Sequence, residues 1–155
     1  MKWTQVDSQY CSVARSLAEV GERWTLLVVR DAMLGAKRFS EFVQSSGAAR
    51  NIIASRLEKL VEAGVLRKSQ YQERPARYEY RLTRKGVELW PVIMALVQWG
   101  DKWHDGGEGK PMEHVHDRCG QPFHLEPHCS ACHEPISPNE VSVRPGPGTP
   151  ADHEA

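Results

Sequence analysis

Three of the chain's four cysteines and five of its seven histidines fall within residues 114–143. Their order is His116-x2-Cys119, nine residues, then Cys129-x2-Cys132-His133. Zinc binds thiolate sulfur and imidazole nitrogen, four at a time in a tetrahedron, and a C-x2-C spacing supplies two donors from one tight turn. His116-x2-Cys119 reproduces that spacing with histidine first. The expected ligands of a Zn2+ ion are therefore His116, Cys119, Cys129 and Cys132, with His114, His124, His128 and His133 as rivals for the fourth place. Four protein ligands leave no open position, so such a zinc would be structural rather than catalytic. A thioredoxin-like use of Cys129 and Cys132 needs a βαβ setting, which this Pro-rich stretch does not offer. The segment is too short for a hydrophobic core of its own, so metal would hold it together. The bland alternative is an unstructured tail with incidental cysteines.

A second group of residues suits nucleic acid. On a helical wheel of residues 49–63, Ile53, Leu57, Leu60 and Val61 form one apolar side. Asn51, Ser55, Glu58, Lys59 and Glu62 occupy the opposite arc, and Ile52 lies off the apolar stripe. Arg50 and Asn51 stand at the amino end, where a recognition helix meets base edges. Arginine pairs bidentately with guanine, asparagine with adenine, and an isoleucine can touch a thymine methyl. Ser55, Arg56 and Lys59 are within a helix's reach of phosphates or bases. Arg74 and Arg77 bracket Pro75-Ala76 in a turn, placed for phosphates or a minor groove. Taken alone, such a helix is equally well read as a solvated amphipathic surface.

These residues need elements to position them. Residues 8–20 have helical spacing, with Ser8 as N-cap and Gly21 as the stop. Residues 23–34 form a second helix, in which Arg30 at the stripe's edge must reach water or find a partner. Ser40 caps a short third helix, closed by Gly47. The fourth helix, 49–63, ends at Gly64. VLRKSQYQ and RYEYRL then alternate apolar and polar residues as half-buried strands do, with ERPAR as the turn between them. Thr83 caps a long helix through about Trp103, which Pro91 interrupts or kinks. Helices, recognition helix, hairpin and final helix give a mainly α winged helix-turn-helix with a β-hairpin wing. A small zinc-ribbon-like segment follows at the carboxy end.

In residues 84–103 one apolar set is Leu89, Val92, Leu96, Trp99 and Trp103; a second is Val87, Trp90, Ile93, Met94 and Val97. A helix apolar over so much of its girth needs two partners. One is its own domain, and the other a second copy of the chain in a homodimer.

The 155 residues suit one domain plus an appendage. The domain boundaries expected are 1–103 for DNA binding and dimerisation, 104–113 for a linker, 114–143 for the Cys/His segment and 144–155 for a disordered tail. No internal repeat on the scale of solenoids is present. The formal net charge is zero, but it is segregated. Residues 1–103 hold 17 Lys/Arg against 11 Asp/Glu, net +6, and residues 104–155 hold 3 against 9, net −6. The basic body suits double-stranded DNA. There is no run of about 18 apolar residues to span a membrane, and MKWTQVDSQY lacks a signal-peptide core. The expected location is the cytoplasm, where thiols stay reduced and metal binding is favoured over disulfides. No H-E-x-x-H, phosphate loop or nucleophile elbow points to an enzyme.

The stretch from Cys11 to about Trp103 resembles the HxlR family of bacterial regulators, a branch of the MarR-like winged helices. The resemblance rests on Cys11, Gly21, Arg23-Trp24, Gly35, Arg38-Phe39, Ala49-Arg50-Asn51, Arg56-Leu57, Gly64, Tyr78-Glu79-Tyr80, Leu82-Thr83 and Gly86. Gly47-Ala48-Ala49 stands where many members have Gly-Ile-Ser or Gly-Ile-Ala. The resemblance implies a homodimer that binds operator DNA and regulates neighbouring genes. In some members an amino-terminal cysteine senses oxidants, quinones or aldehydes, and Cys11 is similar to that position. Arg15, four residues on, and the nearby helix terminus would favour its thiolate. The alternatives are a small side chain packed at a dimer interface, or a response to a small ligand instead. A reading from another class is a zinc-stabilised protein-interaction module with little DNA specificity.

Overall fold

The computed structural model describes residues 11–149; Ser8, with the cap expected of it, and residues 150–155 lie outside them. The chain divides into two compact units, one ending at Ile93 and the other beginning at Met94.

In the first unit the helices are α1 (Ser12–Val20), α2 (Thr25–Met33), α3 (Phe39–Ser46) and α4 (Arg50–Glu62). Val28 and Val29 of α2, Phe42 of α3 and Ile53, Leu57 and Leu60 of α4 are wholly buried. Helical spacing puts the three α4 side chains on one face, and burying such side chains stabilises by about 1.5–3 kcal/mol apiece. Arg30 finds its partner next door: the buried Asp31 carboxylate accepts from Arg30 Nε at 2.9 Å and from the Arg30 guanidinium terminus at 2.7 Å. Asp31 also accepts from the Ser45 hydroxyl, which ties α2 to α3.

The α3 cap differs from the expectation. Ser40 lies inside the helix and Arg38 is the N-cap, in extended conformation. Glu41 supplies the capping acceptor, because its Oε2 takes the backbone N–H of Lys37 at 2.7 Å and of Arg38 at 2.9 Å. Gly47 leaves α3 at φ 65°, and this left-handed residue lets the chain turn at once into α4.

Strands β1 (Leu66–Gln72) and β2 (Arg77–Leu82) form the antiparallel hairpin. Leu66 faces Leu82 and Lys68 faces Tyr80, and a bulge falls between Gln70 and Gln72. Only the base of the ribbon is buried, at Leu66 and Tyr80. The half-buried pattern expected of both strands fails for β1 beyond Leu66, because no layer covers that part of the ribbon. Its exposed rings are covered by cations instead: Lys68 Nζ lies 4.4 Å from the Tyr78 ring centroid. The hairpin is anchored at its base by an edge-on contact of Phe42 and Tyr80, ring centroids 6.3 Å apart. Tyr80 N–H donates to Lys37 C=O at 2.8 Å, next to a bridge between Arg38 and Glu79.

The single long helix expected from Thr83 to Trp103 is two: α5 (Arg84–Val87) and α6 (Trp90–Trp103). Thr83 does cap, accepting from Gly86 N–H at 3.2 Å. The break at residues 88 and 89 has a plain cause. Pro91 inside a continuous helix would clash with the carbonyl four residues back and leave it unpaired. Restarting at Trp90 puts Pro91 in the first turn, where its missing N–H is not needed.

In the second unit, the Gln98 amide clamps the backbone of Leu125, donating to its C=O at 3.1 Å and accepting from its N–H at 2.9 Å. Short strands β3 (Val115–His116) and β4 (Gln121–Pro122) pair antiparallel, and a 3-10 turn covers Pro138–Glu140. None of residues 104–149 is fully buried. Among the described residues, no helix is long and apolar enough to cross a membrane.

Candidate nucleic-acid interface

Three wholly buried side chains, Ile53, Leu57 and Leu60, fix the rotation of α4 about its axis. Asn51, Glu58, Lys59 and Glu62 are consequently exposed, and Val61 is half-buried at the edge of the packed face. Ile52 and Ser55 are half-buried rather than fully presented. The N-cap is Ala49, whose side chain cannot accept a hydrogen bond, so only backbone precedes Arg50 and Asn51 at the helix's amino end. Both are exposed. The Arg50 guanidinium lies 4.8 Å from the Phe39 ring centroid. Such a contact contributes about 0.5–1 kcal/mol at an exposed site and limits the rotamers of Arg50.

Arg56 and Lys59 are held from outside the helix. Arg56 Nε donates to the Arg23 C=O at 2.9 Å and its guanidinium pairs with Glu22. Its side chain is only 16% exposed. Lys59 Nζ meets the same carboxylate at 2.8 Å but stays half in water. The Lys59 hydrogen bond, then the Arg56 and Lys59 charges, hold the Glu22 carboxyl below its ordinary range, against some desolvation. The Arg56 charge is thus satisfied within the protein, whereas Lys59 keeps donors free.

At the wing tip Arg74 and Arg77 are exposed, and neither joins an ion pair among the described residues. A further cation lies outside the helical wheel of residues 49–63. Arg38, the N-cap of α3, lies 5.2 Å from the Tyr71 ring centroid on β1. With Arg50 on Phe39, cation–aromatic contacts link the entry to α3, the amino end of α4 and the wing. Its only sequence signal was a basic residue beside an aromatic one, with nothing to say that the wing would meet it.

Cys11 is the N-cap of α1 and is exposed. Arg15 does not reach the sulfur as its spacing suggested: the guanidinium donates to Ser12 Oγ at 3.2 Å, and only its backbone N–H meets Cys11, at the C=O. In the second unit, His116 Nδ1 stands 3.3 Å from Cys119 Sγ. Cys129 and Cys132 are likewise neighbours. The backbone N–H groups of Cys132 and Ala131, then the Cys132 thiol, hold the Cys129 thiol below its ordinary range. Of the rival histidines, His124 is turned onto the Glu126 carboxylate at 2.9 Å and His128 onto the Glu126 C=O at 3.1 Å. Among the described residues, no three His, Cys, Asp or Glu side chains already converge as a metal site. The chain therefore presents two separate pairs of donors.

The pattern of the HxlR-like helix-turn-helix family matches residues 19–108. The HTH-type transcriptional regulator Rv3095 of Mycobacterium tuberculosis is 42% identical over 139 residues, covering 88% of this chain and 87% of its own. The crystal structure of PA1607, described as a transcription factor, superposes with a TM-score of 0.80 at 37% identity, over 89% of this chain and 96% of that one. A structure of the redox regulator HypR in its oxidized form has a TM-score of 0.53 at 28% identity, over 59% of this chain and 96% of that one.

Proposed function

The chain belongs to the HxlR-like helix-turn-helix family and is a transcriptional regulator with a helix-turn-helix domain; from that premise we propose that it is a cytoplasmic homodimer reading one operator sequence in double-stranded DNA. The observation that carries the reading is the amino end of α4. There Arg50 and Asn51 are exposed on a helix whose rotation is locked by Ile53, Leu57 and Leu60. Such a terminus enters a major groove while the body rests on phosphates. Arg50 and Asn51 take base edges, Ile52 a thymine methyl, and Ser55 and Lys59 the flanking backbone. Arg74 and Arg77 take the phosphates or minor groove beside it, and Arg38 joins them. Arg56 acts indirectly, holding α4 to the residues before α2.

The dimer reading rests on α6. Val92, Leu96, Trp99 and Trp103 are 46%, 49%, 57% and 63% exposed, along one stripe of one helix. Ile93 and Met94, from the other apolar set, are buried. A contiguous apolar stripe of this kind marks an association surface. A two-fold contact would set two α4 helices on half-sites one helical turn or a multiple apart.

The test is a titration against operator DNA selected from random sequence, at several salt concentrations. Specific binding should weaken with salt as counterions are released. Arg50→Ala and Asn51→Ala should each lose about 1–3 kcal/mol, which is expected of a good bidentate base contact. Arg74→Ala with Arg77→Ala should weaken all sequences alike and flatten the salt slope. Unchanged affinity in both base-contact variants would overturn the reading and favour the protein-interaction module.

A further inference from the structure

The second unit contains a repeat that the sequence hides. Phe123 N–H donates to His114 C=O at 3.0 Å, and Ile136 N–H donates to Pro127 C=O at 3.0 Å. Each partner in the second bond lies 13 positions after its counterpart in the first (114 to 127, 123 to 136). The same step relates every inner rung. Val115 pairs with Pro122, and His128 with Pro135. His116 pairs with Gln121, and Cys129 N–H donates to Glu134 C=O at 2.9 Å. At each tip an N–H closes on the carbonyl four residues earlier: Gly120 on His116 at 2.8 Å, His133 on Cys129 at 2.9 Å. Both closing residues are left-handed, with φ 70° and 62°. The two ten-residue hairpins, 114–123 and 127–136, thus have one backbone design. Only Cys119/Cys132 and Pro122/Pro135 are identical between them, too little for a repeat to be read from sequence.

The design places the soft donors at matching positions. His116 corresponds to Cys129, and Cys119 to Cys132. Each tight turn presents two donors side by side, which is what a tetrahedral metal needs from each half of its site. Three residues join the hairpins, so Phe123 and Pro127 can stand at most about 14 Å apart. No side chain between 104 and 149 is fully buried, so these hairpins have no core to account for their order. Isolated two-stranded hairpins are marginal in water.

We propose that the two hairpins are the halves of one structural Zn2+ site, with His116 and Cys119 from the first and Cys129 and Cys132 from the second. Binding converts three thiols to thiolates and releases three protons, while the neutral imidazole gives a lone pair. The ion draws the halves together and supplies the stability that burial does not. His133 is not a ligand: it fills the left-handed position that Gly120 fills in the first hairpin. His124 and His128 are engaged with Glu126. This site is independent of the DNA-binding reading.

The test uses the full chain, purified without added metal. Elemental analysis should find about one zinc per chain. After chelation, Co2+ should restore one equivalent with the absorption of tetrahedral cobalt–thiolate. His116→Ala, Cys119→Ser and Cys132→Ser should lose stoichiometric binding, whereas Cys11→Ser and His133→Gly should keep it. If a ligand variant fails to fold, the unaltered chain still decides. With metal, only Cys11 should react rapidly with a thiol reagent, and all four cysteines should react after chelation. Four reactive thiols throughout, or no cobalt–thiolate spectrum, would overturn the site. A Cys129–Cys132 disulfide in the purified chain would overturn it in favour of a redox pair.

Discussion

Glu41 joins local structure to stability through a single carboxylate. It accepts two backbone N–H groups at the entry to α3, and these, Arg38's before Lys37's, hold its carboxyl below the ordinary range. A group depressed in the folded state contributes stability above its unfolded pKa and loses it as pH falls through its folded pKa. Glu41→Gln keeps an acceptor but removes the titration. Unfolding by denaturant at a series of acidic pH values should therefore show a shallower loss of stability in the variant below the ordinary carboxylate range. Equal slopes would mean that the caps do not discriminate between protonation states. Cys11 poses a different question. Its thiol is exposed at the α1 N-cap, where a reagent in water can reach it. Cys11→Ser should abolish the response of operator binding to oxidant while sparing binding itself. A variant still sensitive to oxidant would move the sensing to the carboxy-terminal cysteines, whose oxidation would also release the zinc proposed there.

At the scale of elements, α5 is short but tightly placed. A Cβ on Gly86 would collide with Val65 O and stand 2.8 Å from Leu82 Cδ2. The first contact is with backbone, which cannot swing aside. Thr83 reinforces the same junction, donating to Gly64 C=O at 2.6 Å through its hydroxyl and to Val65 C=O at 3.0 Å through its N–H. Gly86→Ala should therefore destabilise by about 1–3 kcal/mol, the usual cost of overpacking. A lower Tm in calorimetry would show it, and an unchanged Tm would mean that α5 can lift from the wing base. Gly86 was legible only as part of a family pattern. The requirement for no side chain there depends on the Val65 backbone, 21 positions earlier, arriving against it.

At the scale of the molecule, charge and apolar surface divide the work. The basic 1–103 segment carries the groups proposed to face DNA, and the acidic remainder carries the two carboxy-terminal hairpins. The α6 stripe sets Val92, Leu96, Trp99 and Trp103 against water. Replacing Leu96 and Trp103 together by Glu should leave the folded chain intact, because neither side chain is in the core. It should yield monomers in sedimentation and cut operator affinity, since two half-sites would no longer be joined. A variant that stays dimeric would place the interface elsewhere.

Periodicity and its glycine stops determined that there would be four helices and then a hairpin, that Ile53, Leu57 and Leu60 would turn inward, and that Asn51 would lie on an exposed arc with Arg50 beside it at the helix's amino end. These follow from local geometry, because 3.6 residues per turn decides which side chains share a face. Cysteine spacing alone likewise picked out the two pairs of donors. Tertiary structure decided the rest, since each remaining feature depends on residues distant in sequence. Spacing leaves Arg56 within a helix's reach of phosphates or bases, but Glu22, 34 positions earlier, takes its charge. Arg38 gained its aromatic partner only when β1 folded back on α3. The two hairpins at 114–123 and 127–136 share a backbone while sharing almost no side chains. Backbone hydrogen bonds and left-handed turns can be met by many sequences, so a repeat written in them is legible only in three dimensions.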